Sequence, residues 1–465
     1  MLPLFSVLWA LAAVWHLLGN PQYASMPSQA LLVVGAGLVL ARPGRVGPLA
    51  VLAVGGVVTM WSEAPLLGNH WLLAALVDLA LLFAVSVGAV RRRWSDPVDL
   101  ADRFLPVARW CLLGFYFFAS FAKLNAAFFD RSVSCATFYF EESTHSIGLD
   151  GLQLNGAAGV QWAVIVVTAA VELSIPWLLL FRRTRALGVV VGLAFHSVLA
   201  LDRTHQFFDF SSVLAALFIL FLPTASGRWV GERVGSVRAR LVLRDERAPT
   251  VVRVVLVAIP VLAGLAVVLD RLTPHEALLW GWTSWQLFAL ALLASTVLFL
   301  RQRPPAPAPH ALRLGHVAFV LVPLLVLLNG LTPYLELKTG FGWNMYANLR
   351  TVDGDSNHFI VRRTLPLTDA QADLVEILDS DDPGLQRYVD EHYSLTWQEL
   401  RAYLSDHQGA RVRYRRGSAV VSLKHASDDP ELVRPLPMWQ EKLQLFRAVD
   451  QESPERCLPS FGPAR

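Results

Sequence analysis

Lysine is nearly absent from this chain: of its 40 lysine and arginine residues only four are lysine, Lys123, Lys338, Lys424 and Lys442. Charge of either sign is scarce, at 17% of residues, and the net charge is only +3. Phosphate-backbone binding needs a concentrated basic surface, and no basic stretch here is interleaved with aromatics, so no nucleic-acid partner is expected. The three cysteines form no Cys-x-x-Cys pair and show no metal-ligand spacing, which excludes a zinc-ribbon type of fold. There is no His-Glu-x-x-His, no phosphate-binding loop and no ordered Ser/His/Asp set. A nucleophilic triad, a nucleotide site and a metal cage are therefore all missing at the level of motif, and no metal is expected.

Apolar residues dominate instead, at 54%, with a mean hydropathy of +0.44. They come in runs of roughly 15–22 residues, the length that crosses a hydrocarbon layer of about 30 Å. The expected spans are 2–18, 28–41, 46–60, 70–90, 105–125, 158–181, 186–201, 209–223, 250–270, 278–300 and 311–331. The first resembles a signal peptide in position but has no basic leader and no small-residue cleavage site before Asn20, so it counts as a true span. With these eleven spans, the clusters Arg42/Arg45, Arg91–Arg93, Arg182/Arg183/Arg185, Arg228 to Arg247 and Arg301/Arg303 fall in loops on one side. By the positive-inside rule that side is cytoplasmic, which puts residues after 331 outside. Trp61, Trp71, Trp94, Trp110, Trp229 and Trp280 sit near the ends of apolar runs, as in interfacial belts. Pro304–Pro309 reads as a stiff cytoplasmic linker. The expected class is an all-α polytopic membrane bundle of about eleven transmembrane helices (1–331), followed by a small extracytoplasmic α+β domain (332–465). Membrane lipids are its obligatory surroundings.

In the second region, Thr368 reads as the start of an amphipathic helix, and Asp382-Pro383 as the cap of another with proline in its first turn. Thr396-Trp-Gln-Glu399 is a capping box. Arg411–Leu423 alternates around a glycine and reads as a hairpin, and His358–Arg363 as a further strand. Cys135 and Cys457 both fall on the outer side, where a disulfide and two free thiols are both open readings. Cys111 lies within a span and reads as packing.

Ionisable groups at membrane depth are costly and hence functional candidates. Asn69-His70-Trp71 opens the fourth span and Asp78 lies two turns deeper. Lys123 closes the fifth, Glu172 with Pro176 lies near the middle of the sixth, and His196 is in the outer half of the seventh. His205 and Asp209 follow. Each has a plain structural reading: a headgroup-level cap for Asn69 and His70, a core histidine for His196, and for Glu172 a partner for an arginine or for the carbonyl freed by Pro176. Asp78 is a candidate counter-ion of Lys123. Lys123 is the most informative, because every basic membrane flank here is arginine. A snorkelling anchor needs only positive charge, whereas burial can turn lysine, but not arginine, into a base.

Ala119-Ser-Phe-Ala-Lys123-Leu-Asn125, after a Tyr-Phe-Phe run, resembles the lysine segment of the vitamin K-dependent gamma-carboxylases and of the bacterial horizontally transferred transmembrane domain (HTTM) proteins. Asn69-His-Trp-Leu72, Arg109-Trp110, Glu172-Leu-Ser-Ile-Pro176, Phe195-His196 and Asn344-Met-Tyr-Ala-Asn348-Leu-Arg350 with Asp353-Gly-Asp-Ser-Asn-His358 follow the family order, so the resemblance covers about residues 60–360. It implies a reduced vitamin K or menaquinone-like quinol as cofactor and no metal. Lys123 would be the base that deprotonates the quinol, with Asn69 and His70 as its partners. The aromatic shell that dries the lysine would include Phe117, Phe118, Phe121 and Phe128, and His196 would belong to the cofactor site. An extracytoplasmic protein or peptide is the implied substrate class. The carboxylases carry a second lysine where this chain has Ala122, an acidic residue where it has Asn125, and a larger outer domain. What carries over is thus the quinol half of their chemistry. Three readings follow: a quinol-dependent enzyme using Lys123, a non-catalytic module that binds a lipid, quinone or envelope partner, and a transporter. The last would need a polar path through the membrane, for which Glu172 is the one strong inner-half candidate.

Overall fold

The structure, a computed structural model, describes residues 1–93, 95–150, 156–242, 248–302, 311–452 and 454–457. Trp94, the Pro304–Pro309 linker and the end of the arginine run, 243–247, lie outside the described residues. The chain is mostly helical. Among the described residues, six helices are long and apolar enough to cross a membrane: α1 (Leu2–Gly19), α3 (Val46–Glu63), α4 (Asn69–Val90), α5 (Pro97–Phe121), α7 (Ala158–Leu180) and α12 (Pro274–Gln302). The other expected spans fall on shorter apolar helices: α2 (Pro27–Ala41), α8 (Arg185–Leu199), α9 (Phe207–Ile219), the end of α11 (Ala248–Val268), and Val317–Leu331, which contains α13 (Leu321–Leu331). Two helices stand where loops were expected. The segment between α5 and α7 contains α6 (Cys135–Ser146), and the arginine run forms α10 (Ala225–Val242).

Burial separates the inner helices from the outer ones. Every residue of α9 is buried, and most of α1 is. α7 and α12 present bare apolar surface, including Trp162, Val166, Val167, Trp177, Leu287 and Leu290. In water such faces would be unfavourable at about 25 cal/mol per Å2; in lipid they are the expected exterior. The tryptophans divide accordingly: Trp61, Trp110 and Trp280 are exposed, but Trp71 and Trp229 are buried. Trp71 is not a belt residue, because its ring stacks flat on His16 at 3.8 Å.

α5 begins at Asp96, whose carboxylate accepts from the Val98 and Asp99 N–H groups while Pro97 takes the first turn. It ends at Phe121, earlier than expected, so Lys123 stands in the turn beyond the helix rather than inside it. Asn125 makes that turn: its amide donates to the Ala122 carbonyl (2.8 Å) and the Ala347 carbonyl (2.5 Å), and its oxygen accepts from Phe128 N–H (2.9 Å). Side-chain amides that bond to local backbone compete with helix propagation in this way.

Residues after 331 fold back over the helices. Trp343 is fully buried and donates from its indole to the Val326 carbonyl (2.7 Å). A hairpin of β1 (Thr351–Val352) and β2 (Asp355–Ser356) precedes a five-stranded antiparallel sheet. Its strands are β3 (Leu374–Ser380), β4 (Tyr393–Thr396), β5 (Val412–Arg416), β6 (Ala419–Leu423) and β7 (Val449–Asp450), in the order β6-β5-β3-β4-β7. Two expectations are corrected. The helix expected from Thr368 is only a single 3-10 turn, Asp369–Gln371, after which the chain becomes the central strand β3, since Val375 and Ile377 are buried at the two-residue spacing of a strand. His358–Arg363 makes only isolated bridges, Asn125 to His358 and Asp355 to Arg363. The expected hairpin is β5–β6, turning at Gly417 with φ of +59°. Asp382 caps α14 (Pro383–Asp390) through Leu385 N–H at 3.0 Å. Thr396 caps α15 (Trp397–Asp406), and the Glu399 carboxylate accepts from Phe446 N–H at 3.0 Å. The last helix is α16 (Met438–Leu443). A disulfide joins Cys135, the first residue of α6, to Cys457, 322 residues later.

Candidate functional site

Phe115, Ala119 and Lys123 are spaced four apart and project from one side of α5 and its terminal turn. Val164, Thr168 and Glu172 do the same on α7. Together with Phe195 and His196 of α8, Phe128 and the α6 residues Cys135 and Tyr139, they enclose a largely apolar cavity of ≈ 140 Å3. A cavity of about this size accommodates one aromatic ring. Small Ala119 in the middle of the α5 stripe leaves that space open.

Two polar pairs break the apolar wall. Lys123 Nζ lies 2.8 Å from Glu172 Oε2, both largely buried. The same ammonium donates to the carbonyls of Ala119 and Met345, each at 3.3 Å. The Tyr116 hydroxyl hydrogen-bonds to His196 Nε2, and Ser211 Oγ donates to the His196 carbonyl at 3.1 Å. Both ends of the lysine side chain's reach are thus fixed: Asn125 sets the turn that carries it, and Glu172 holds its head.

This corrects the expected counter-ion. Asp78 accepts from the Trp9 indole at 2.8 Å and lies against Gly56, where a Cβ would meet its Oδ2 at 2.0 Å. It belongs to the α1–α3–α4 contact. Glu172 is the partner of Lys123, so the two stand at one depth. Phe118 and Phe121 lie off the cavity. Phe118 packs on Gly330 of α13, and Phe121 packs against His358 and Tyr334. At 100° per residue, positions 117, 118 and 121 point away from the face that carries 115, 119 and 123. Only Phe128 of the expected drying shell lines the cavity, with its ring centroid 6.0 Å from Lys123 Nζ. Tyr116, Thr168, Met345 and Tyr346 were not expected there. The four-residue stripe on α7 was the sequence signal for Thr168, and the three-residue step from Tyr116 to Ala119 was that for Tyr116.

Asn69 and His70 open into a second, polar chamber of ≈ 380 Å3. Phe210, Met345 and Tyr346 line both spaces and so form the partition between them. The His70 and His196 rings pack on Phe210, with centroids at 5.5 and 5.0 Å. His70 is therefore a neighbour of the Lys123 cavity rather than part of it. Its Nε2 lies 3.0 Å from Asp209 Oδ2. Asn69 Oδ1 accepts the Trp343 N–H at 3.1 Å, which ties the fold-back segment to α4. Burial pushes the Tyr139 and Tyr346 phenols up, so both hydroxyls stay protonated at the cavity rim.

The remaining quoted segments act as ties. Arg109 donates to the Leu220 (2.8 Å) and Ala311 (2.7 Å) carbonyls, and Trp110 to Leu312 (2.9 Å). Asn348 accepts from Cys135 N–H (2.8 Å) and donates to the Val133 and Glu455 carbonyls. His358 reaches the Phe121 carbonyl at 2.8 Å, at the end of the lysine helix, while Arg350 turns to Glu455 at 3.6 Å. Compared with protein-family models, curated proteins and solved structures, the chain matches none.

Proposed function

We propose that this chain is a multi-pass membrane enzyme of the HTTM and vitamin K-dependent carboxylase-like class. In this reading it spans the membrane about eleven times, with residues 1–331 as the transmembrane domain and residues 332–465 as an extracytoplasmic domain. The apolar cavity takes the ring of a reduced vitamin K or menaquinone-like quinol entering from the outer leaflet, and the Lys123–Glu172 pair handles the quinol's hydroxyl proton. The observation that carries it is that ion pair, 2.8 Å long, set into an otherwise apolar ring-sized cavity.

The pair suits that task physically. In a low-dielectric wall the carboxylate is the nearest acceptor for a hydroxyl proton, and the ammonium beside it stabilises the phenolate left behind. Proton transfer across the pair leaves a neutral amine, which serves equally as the base. The Tyr116–His196 pair offers a second polar contact for an oxygen on the far side of the ring. The polar chamber behind Phe210 is where an extracytoplasmic protein or peptide substrate would present its reacting group to His70.

The test is mass spectrometry of the purified full-length protein, wild type beside Lys123→Arg. Arginine keeps the charge and the pairing with Glu172 but cannot yield a proton. A quinone in wild type that is lost or diminished in the variant supports the site at Lys123. Quinone retained by Lys123→Arg, with quinol oxidation in neither protein, indicates a non-catalytic quinone-binding module instead. A folded wild type that neither carries nor takes up quinone overturns the reading.

A further inference from the structure

The polar chamber carries a cluster of which the quinol reading uses only His70. His16 of α1, His70 of α4 and Asp209 of α9 are far apart in the chain, so no spacing motif announces them. Their ligand-type atoms all lie within 4.8 Å of one another. His16 Nδ1 and His70 Nε2 each lie 3.0 Å from Asp209 Oδ2. Around a tetrahedral zinc with bonds of about 2.0–2.1 Å, neighbouring ligand atoms stand roughly 3.3 Å apart. The two separations from Asp209 Oδ2 fall a few tenths of an ångström short of that spacing, so these atoms would open slightly around an ion.

Three further observations point the same way. First, His70 Nε2 and Asp209 Oδ1 are both buried without a hydrogen bond. His70 Nε2 is close to the Asp209 carboxylate yet not aligned to donate to it, and a buried atom left so costs about 1–3 kcal/mol unless something coordinates it. Second, His16 is backed by an outer carboxylate: its Nε2 lies 3.0 Å from Glu63 Oε1, and Glu63 is in turn held by Gln29 Nε2 at 2.6 Å. An imidazole whose other nitrogen is bound to a carboxylate is the recurring second layer of metal centres. Third, Glu63 and Asp209 are only 4% and 2% exposed, and among the described residues their charge partners within 4.0 Å are imidazoles alone. With both imidazoles neutral, one divalent cation balances the two buried carboxylates.

We propose that His16, His70 and Asp209 bind a divalent first-row transition metal ion, with the polar chamber supplying its open position. Two imidazoles and a carboxylate select zinc or iron(II) over calcium or magnesium. The inference stands apart from the quinol reading, because it is read by metal content rather than by activity.

The experiment uses the full-length protein in detergent, stripped with a chelator, reloaded with zinc or anaerobically with iron(II), freed of excess metal and assayed by elemental analysis. Wild type is expected to retain about one ion per chain. His70→Gln, at the chamber wall, and Asp209→Asn are expected to retain less than about a tenth of that. His145→Gln, an exposed histidine paired with Asp150 and away from the chamber lining, should leave the stoichiometry unchanged. Monodisperse wild type that holds neither ion overturns the proposal even if the variants fail to fold. So does full retention in His70→Gln, and either result would leave a purely hydrogen-bonded Glu63–His16–Asp209 relay.

Discussion

Lys123 Nζ and Glu172 Oε2 meet at 2.8 Å across the junction of α5 and α7. The lysine stands in a turn and the glutamate in mid-helix, so the bond ties an irregular element to a regular one. Removing one partner leaves an uncompensated buried charge, which costs about 3–5 kcal/mol, whereas replacing both with apolar groups of similar volume is often neutral. Glu172→Leu is therefore expected to lower the denaturation midpoint clearly, and Lys123→Met with Glu172→Leu to recover most of it. A double-mutant cycle in detergent measures this. Additive losses would mean that the two side chains are not coupled.

Ala119 leaves the ring-sized space open between Phe115 and Lys123. Ala119→Leu places three more carbons there without touching a polar group. Overpacking of this kind costs about 1–3 kcal/mol at most sites, less where a cavity waits to be filled. The variant is expected to stay folded and to lose bound quinone at least about tenfold, roughly 1.4 kcal/mol of affinity. Unchanged quinone content in a folded Ala119→Leu protein would locate the ligand elsewhere.

What could be read from the chain, and what could not, divides along the range of the interactions involved. The apolar runs and the cap at Asp382 are local in sequence: the runs form apolar helices, six of them of membrane-crossing length among the described residues, and the cap stands where the sequence pointed. Lys123 was legible because lysine is rare here. Its partner was not: Asp78 and Glu172 are both acids in apolar runs, and only packing decides between them. The direction of Phe118 and Phe121 was in principle readable from helical period, but the end of α5 depends on Asn125 bonding to Ala347 more than 200 residues away. Thr368 followed by Ala370-Gln-Ala372 reads locally as a helix start. Pairing of Val375 and Ile377 with β4 and β5 overrides that preference, as tertiary context commonly does. His16, His70 and Asp209 come from three helices, so their convergence had no signature at all.

The Cys135–Cys457 disulfide closes a loop of more than 300 residues and anchors the chain's last described residues beside α6, which walls the cavity. Cross-links of this kind contribute about 2–5 kcal/mol. Cys135→Ser with Cys457→Ser is expected to lower the denaturation midpoint by a corresponding amount and to make the tail cleavable by protease in the folded protein. The bond also requires an oxidising compartment. Thiol labelling of protein taken directly from cells should leave both cysteines unmodified until reductant is added. Prompt labelling without reductant would put this side of the protein in the cytoplasm.

Near that disulfide, Glu455 gives the C-terminal region a pH dependence of definite sign. Its carboxyl is buried, and burial together with the Asp450 carboxylate pushes its pKa up to about 8, against the pull of Arg350 and Arg447. The native state then holds a proton that the unfolded chain releases once the pH passes the ordinary glutamate value of 4.5. Because the folded form binds more protons, this group's stabilising contribution is complete below that value, falls as pH rises, and is gone above about 8. The slope in that window approaches about 1.4 kcal/mol per pH unit. Glu455→Gln mimics the protonated group and should remove this component. The difference in stability between the variant and wild type is therefore expected to be small at pH 5 and to grow in the variant's favour toward pH 8. Paired denaturation curves across that range measure it. A difference that stays flat would show that Glu455 is ionised in the folded protein, held by its arginines rather than by its burial.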